Sequence, residues 1–349
     1  MSLCHSFHHQ FYGSSRNIGL RHAFDILKRK GLASPSTQGN FYQMLSEALL
    51  HVAEAHFRDL WCVVAGIDSL EKLRDYSPEQ LLNFANIILD KYASTNALDE
   101  HRMHPRDRQD DIIIEAIMFN RDILDFINLD DAIRVGDVGR IRDMLPRLIF
   151  RYIGGNHTNY STELLELIQG LEREWPDDLV LFMLRFCWVA NPTGKPNAFL
   201  PFDEVMEHNI RDTKETFETL GPSTSWEYLK KTTASIPMRR KIKDHVEDQI
   251  NSFHRGKSHT DPDKEDDITT LQASYARSKI HHYNPRRQLP KEDQLEDYNA
   301  KGSDLHTLAK VINSWLEKRI TKRATTEDWT YGYESSEQDN ADIDMQASM

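Results

Sequence analysis

The stretch from Phe41 to Val64, "FYQMLSEALLHVAEAHFRDLWCVV", decides the fold class. Leu45, Leu49, Val52, Ala53, His56, Leu60 and Val63 recur mostly three or four positions apart, which places them on one face of an α-helix. Strict alternation, the mark of a half-buried strand, is scarce here and along the rest of the chain. A helix is expected over 40–65. "PEQLLNFANIILDKYA" is a second, opened by Ser77 as N-cap with Pro78 at the first helical position. Further helices are expected near 18–30, 106–128, 138–152, 159–174, 178–189, 203–220, 225–234, 238–253, 264–278 and 303–319. Gly31, Gly66, Gly136, Gly154, Gly155, Pro176, Pro192, Gly221 and Pro237 punctuate them. No period of about 20 to 50 residues marks a solenoid. The expected fold is all-α, a multi-helix, bundle-like body.

Composition sets the limits of that body. The 349 residues are 39% hydrophobic, with six Trp and fifteen Phe, enough for a buried core. The formal charge of −12 argues for a self-repelling surface and against a chain coated in nucleic acid, although local basic patches remain. Cys4, Cys62 and Cys187 are odd in number and lack Cys-x-x-Cys spacing, so neither a disulfide framework nor a zinc ribbon is indicated. No apolar run reaches the roughly 18 residues of a membrane span, and "MSLCHSFHHQ" lacks the charged region and following long apolar run expected of a signal sequence. An intracellular protein, cytoplasmic or nuclear, is expected, with no membrane partner. The charged, apolar-poor "HRGKSHTDPDKEDD" suggests a division into a helical domain over 1–253 and a linker with peripheral helices over 254–323. The acidic tail over 324–349, without Lys or Arg, is expected to be disordered.

Four stretches carry candidate chemistry. In "NPTGKPNAFLPFDEVMEHNIRDTK", residues 191–214, a helix from Asp203 sets Met206, Ile210, Thr213, Phe217 and Leu220 on one stripe. Asp203, Glu207 and Lys214 lie along its edge, where a carboxylate could face a groove. Asp203 is equally a natural N-cap, and Glu207 can pair with Arg211. "NPTGKP" lacks the glycine and hydroxyl residue of a phosphate loop. Glu47, His51 and Glu54 share a helix face, but without matched ligands on another helix they read as a polar seam rather than a metal site. The histidines of "HSFHH" are expected on the surface. In "GDVGRIRDMLPRLIFRYIGGNHTNY", Gly136 and Asp137 form a stop-and-cap pair, and Arg140, Arg147 and Arg151 line one side of the next helix, where they could face phosphate or, as the net negative charge favours, an acidic neighbouring helix in salt bridges. The fourth stretch, "YARSKIHHYNPRRQLPK", holds Arg277, Lys279, Arg286, Arg287 and Lys291 with no acidic residue, two histidines and two tyrosines. Such a composition can follow phosphates and stack on bases. "MRRKIK" at 238–243 is a second basic run.

"HAFDILKRKGL", "EALLHVAEAHFRDLW", "GDVGRIRDMLPRLIFRYIGGNHTNYSTELLELIQGLEREWP", "NPTGK", "EHNIRDTK" and "GPSTSWEYLKK" resemble the fungal family known as domain of unknown function 6589, over about residues 5 to 290. The resemblance implies mobile-element ancestry and a further N-terminal region in longer members, this chain being the C-terminal part. If members were transposase-like, with carboxylates holding two divalent ions, Glu207 would be the last carboxylate and the earlier ones would lie in that N-terminal region, leaving the site incomplete in this chain; apart from the resemblance, Asp203 and Asp137 are the carboxylates that could join Glu207.

The sequence therefore points to a non-catalytic helical interaction or structural module with no cofactor and no metal, and with an unidentified protein as partner. A transposase-derived nucleic-acid-binding protein is the alternative, and a metal-dependent nuclease or hydrolase with an incomplete site the third reading. Deleting the residues after 323 should move the melting temperature by less than about 2 °C, because an acidic segment has little to bury. A larger loss on calorimetry would mean that Trp329 or Tyr331 docks on the body.

Overall fold

The computed structural model describes residues 2–13, 19–33, 41–207 and 264–320, with scattered positions between 210 and 246. Helices dominate: α1 (Ser2–Phe11), α2 (Leu20–Ile26), α3 (Phe41–Ala65), α4 (Pro78–Tyr92), α5 (Thr95–Met103), α6 (Asp111–Val135), α7 (Val138–Gly154), α8 (Thr158–Gln169) and α9 (Asp177–Phe186). Beyond them lie α10 (Lys264–Ser278), α11 (Tyr298–Ser303) and α12, residues 305–320. The strands among the described residues are β1 (Val189–Ala190) and β2 (Leu200–Pro201), one antiparallel hairpin. The chain forms two compact units, Met1–Met144 with Trp175–Leu295, and Leu145–Glu174 with Glu296–Met349. The expected boundary at 253, the run at 238–243 as a whole and the acidic tail fall outside the described residues.

Local rules place the helix ends. Ser77 Oγ accepts from the Gln80 amide at 3.3 Å while Gln80 Oε1 accepts from the Ser77 amide at 2.9 Å, a reciprocal capping box ahead of Pro78. Gly136, at φ 78°, closes α6 in the left-handed region that an L side chain avoids.

In the first unit, α3 supplies the centre of the core through Leu45, Leu49, Val52 and Leu60, all essentially inaccessible to solvent. Facing residues come from α6 (Ile117, Phe119, Ile123, Phe126), α1 (Cys4, Phe7, Phe11) and α10 (Ile268, Leu271, Tyr275). Phe7 meets Phe126 at 5.8 Å and Phe11 meets Phe119 edge-on at 5.3 Å between ring centres. Each such side chain contributes about 1.5–3 kcal/mol by leaving water. Sequence reading missed α1 and put its histidines at the surface. Cys4, Phe7 and Phe11, three and four apart, draw one face inward, and His8 is buried with it, donating from Nε2 to the Leu32 carbonyl at 2.7 Å.

The α3–α10 contact is the polar seam that the sequence suggested. Glu47 and Asp267 receive Arg29, His51 Nδ1 meets Asp267 at 2.9 Å, and Glu265 and Glu54 receive Arg58. Deeper in, His281 Nδ1 bonds Asp59 at 2.6 Å. The His56 ring lies 4.5 Å from Tyr275, 4.7 Å from Phe119 and 5.2 Å from His281, and both of its nitrogens lack a partner among the described residues.

The second unit turns on two glycines. A Cβ on Gly154 would stand 1.9 Å from the Tyr298 carbonyl oxygen, and one on Gly302 1.8 Å from that of Phe150, so α7 and α11 cross at backbone contact. Trp315 of α12 donates from Nε1 to Glu166 at 2.8 Å, and Arg319 pairs with Glu166 and Glu174.

Burial tunes two sets of groups in opposite directions. It holds His56 well below the usual histidine value, with His281 adding to the effect, and lowers His281 against the pull of Asp59. It pushes Glu115 up to about 8, against the Leu295 amide that donates to it and with help from Asp111 and Asp293. Below about 6.5 the unfolded chain takes up histidine protons before the folded one, so stability falls with acidification. Above 4.5 the unfolded chain loses its Glu115 proton first, so that contribution falls as pH rises towards 8. Glu115→Gln should match the wild type near pH 4.5 and exceed it by on the order of 5 kcal/mol at pH 8.5, read by urea unfolding. A difference independent of pH would refute the assignment.

Candidate functional site

Of the three carboxylates singled out from sequence, Asp137 and Asp203 accept hydrogen bonds locally and Glu207 is exposed. Asp137 caps α7: Oδ1 accepts from the Arg140 amide at 3.0 Å, and Oδ2 lies 3.4 Å from Arg140 Nε. Arg140 also pairs with Asp131 at 2.8 Å. Asp203 is exposed, and its Oδ1 accepts from the amide of Glu204 at 2.9 Å. Glu207 is exposed in the helical run that starts at 202, and its expected partner Arg211 lies outside the described residues. Among the described residues no three His, Cys, Asp or Glu side chains are grouped as metal ligation requires.

The loop before them is a self-contained turn. Asn191 Oδ1 accepts from the Gly194 amide at 2.9 Å and from Thr193 Oγ1 at 3.1 Å, and its Nδ2 donates to the Lys195 carbonyl at 2.8 Å. Gly194 takes φ 68° to close it, and Lys195 is left exposed. The Phe199 amide donates to the Arg134 carbonyl at 3.2 Å, with its ring 3.0 Å from where a Cβ on Gly136 would stand, so the hairpin is docked on the end of α6.

The basic stretch behaves differently from its composition. Arg287 does not face solvent with the other four cations. Its Nη2 meets Asp110 Oδ2 at 2.5 Å and its Nε meets both carboxylate oxygens at 3.0 and 3.1 Å, where Asp110 is fully buried. The remaining guanidinium protons go to the carbonyls of Ser278, Lys279 and His282, the C-terminal end of α10 and the loop after it. Asp110 also caps α6 through the Ile113 amide and accepts from the Asn284 amide at 2.7 Å. Next to it, Asp111 receives Arg106 at 2.6 and 2.8 Å and the Leu289 amide at 2.7 Å, while Glu115 accepts from the Leu295 amide at 3.0 Å. The first two turns of α6 thus hold residues 284–295 on a row of carboxylates.

That row brings a second basic segment alongside the first. Residues 100–108, "EHRMHPRDR", contain Arg102, Arg106 and Arg108 with His101 and His104, interrupted by Glu100 and Asp107. Tyr283 Oη donates to the Arg108 carbonyl at 2.6 Å, and the Arg286 amide to that of Gln109 at 3.3 Å. The Tyr283 ring lies 5.7 Å from His101 and 5.8 Å from His104, and those two are 6.1 Å apart, so three rings meet in a triangle. Tyr283 is 44% exposed. Burial, then His104, keeps His101 below the usual histidine range, so its ring is neutral near pH 7. Arg108, Arg277, Lys279, Arg286 and Lys291 are exposed, with no ion pair among the described residues. The share of 100–108 was missed because two acidic residues break the run, and nothing local joins it to residues some 180 positions later.

The molecule described so far is an all-helical protein with one surface that gathers cations around aromatic rings. The chain belongs to the family described as "Family of unknown function (DUF6589)", whose model matches residues 1–259. No curated protein and no solved structure matches it. The family match takes in 100–108 and ends ahead of α10 and the 279–291 loop.

Replacing Arg287 by Met should cost about 3–5 kcal/mol, because it leaves the buried Asp110 carboxylate without its counterpart, and replacing Asp110 by Asn should cost less, because the Arg287 side chain stays partly in water. The double variant should recover part of that loss in chemical denaturation. Additive losses would show that the two side chains act independently.

Proposed function

We propose that this chain is a non-catalytic helical module that works by presenting a surface to a macromolecular partner. The observation that supports it most is the division of labour among its charged groups. Asp137 and Asp203 accept from helix-start amides close by, whereas Asp110, Asp111 and Glu115 are used to set a distant loop of cations and rings at the surface. A two-metal hydrolase needs carboxylates from separate segments on ions roughly 4 Å apart, and of the candidates for that role Asp137 and Asp203 are already taken up by local hydrogen bonds. The three unpaired cysteines favour an intracellular setting, cytoplasmic or nuclear. No described helix is long and apolar enough to cross a membrane.

Calorimetric titration with magnesium and manganese tests the reading. The expected result is no stoichiometric uptake, and a Glu207→Gln variant whose melting temperature stays within about 2 °C of the parent. Tight one-to-one binding that disappears in Glu207→Gln would instead make Glu207 a metal ligand and promote the nuclease reading.

A further inference from the structure

We propose that the face around Tyr283 binds single-stranded nucleic acid: Tyr283, flanked by His101 and His104, stacks on an unpaired base while Arg108, Lys279 and Arg286 hold the neighbouring phosphates. The inference rests on the binding-module reading and names its partner. Four observations lead to it. The three rings touch one another at 5.7 to 6.1 Å, and Tyr283 keeps 44% of its surface in water although its hydroxyl is already bonded to the Arg108 carbonyl. An exposed ring with a satisfied polar end offers its π-face to a flat ligand. The cations around it come from two segments brought together by Asp110 and Asp111, so the patch is a product of the fold and not of one lysine-rich run.

Backbone conformation is the third observation. Lys279, which closes α10 as Lys28 follows α2, and Arg286, in the loop beyond, both sit at positive φ, 50° and 80°, where a residue with a Cβ is strained. Glycine would relax either position. The Lys279 conformation belongs to the helix end, whereas Arg286 gives up stability for charge at a loop position that glycine would fill without strain, which is the pattern of strain held at a functional site. Fourth, the loop is rigid before any ligand arrives: Arg287 ties the carbonyls of Ser278, Lys279 and His282 to the buried Asp110, so little order has to be gained on binding.

Other polyanions fit less of this. An acidic peptide would satisfy the cations and leave the rings idle. A duplex hides its base faces, so it too would use only the charges. Single strands present phosphates and π-faces together, and stacking on an aromatic side chain is tolerant of sequence. Either DNA or RNA has that chemistry, and the experiment carries both.

The test is fluorescence anisotropy of the full chain with labelled 20-nucleotide oligo(dT), oligo(U) and a mixed-sequence DNA duplex, titrated across salt. Single strands should bind at least about tenfold more tightly than the duplex. The logarithm of affinity should fall with the logarithm of salt at a slope near −2, about −0.7 for each of three phosphates. Tyr283→Leu should weaken binding about tenfold, whereas Tyr283→Phe, which keeps the ring and loses the bond to Arg108, should bind like the parent. Arg286→Gly should flatten the salt slope by about 0.7 while leaving the melting temperature unchanged or raised, since it relieves the strained φ. A tighter oligo(U) complex would assign RNA and a tighter oligo(dT) complex DNA; equal affinities would mean that the ribose is not read. Absence of binding at low salt, duplex binding as tight as single-strand binding, or equal losses in Tyr283→Leu and Tyr283→Phe would each overturn the proposal. Cleavage of the oligonucleotides with added magnesium would overturn the non-catalytic reading while leaving the surface standing, so the two failures are distinct.

Discussion

The pair between the buried Asp110 and the half-buried Arg287 is the constraint on which the first unit is arranged. One carboxylate, withdrawn from water, caps α6, binds a loop amide and neutralises a guanidinium, and that guanidinium in turn satisfies the last carbonyls of α10. Two helix ends that would otherwise need water are closed against each other. Desolvating both charges is costly, and a hydrophobic replacement could be as stable. What an apolar pair could not supply is direction. Five donors in a fixed fork determine where residues 278–287 run, and so determine what faces solvent beside Arg108.

The seam between α3 and α10 follows from the same constraint. With the end of α10 fixed, Tyr275 is driven against His56 and His281 reaches Asp59, and the outer face of the contact is left to ion pairs that stay partly wet. Partly exposed pairs such as Arg58 with Glu265 contribute little each. The buried apolar residues Ile268, Leu271 and Tyr275 carry the affinity of α10 for the body, and the charged rim sets its register. A helix that begins after a polar stretch is in this way part of the first unit's core.

Much of this was legible in the sequence, for identifiable reasons. The all-helical class, the start of α4 at Ser77 and the junction of α6 with α7 at Gly136 and Asp137 follow from periodicity and capping, which are local. The membership in the family of unknown function was legible from its sequence blocks. Helix α1 was missed because its apolar positions are diluted by histidines, and burial of His8 depends on the carbonyl of Leu32, far along the chain. The difference between Arg286 and Arg287 could not have been read at all. Neighbours of identical chemistry take opposite roles because one reaches a buried carboxylate 177 positions earlier while the other, at a positive φ, is left exposed. Composition saw a basic stretch of five; the fold divides it into one internal strut and four surface cations.

A basic face on a chain of formal charge −12 is not a contradiction, because distance and screening separate the two. At physiological ionic strength charges beyond about 8 Å are largely screened, so an approaching polyanion responds to Arg108, Lys279 and Arg286 and not to the sum over the molecule. As salt is lowered the screening length grows towards about 30 Å at 0.01 M, and repulsion from the rest of the surface enters. Affinity for a single strand should therefore stop rising, or turn over, at the lowest salt, where a uniformly basic protein would continue to gain. The rings account for the remaining part of the balance. The stacking proposed for Tyr283 is not screened, so it would persist where the electrostatic contribution fades and would give a face with few cations a hold that charge alone would not provide on an acidic protein.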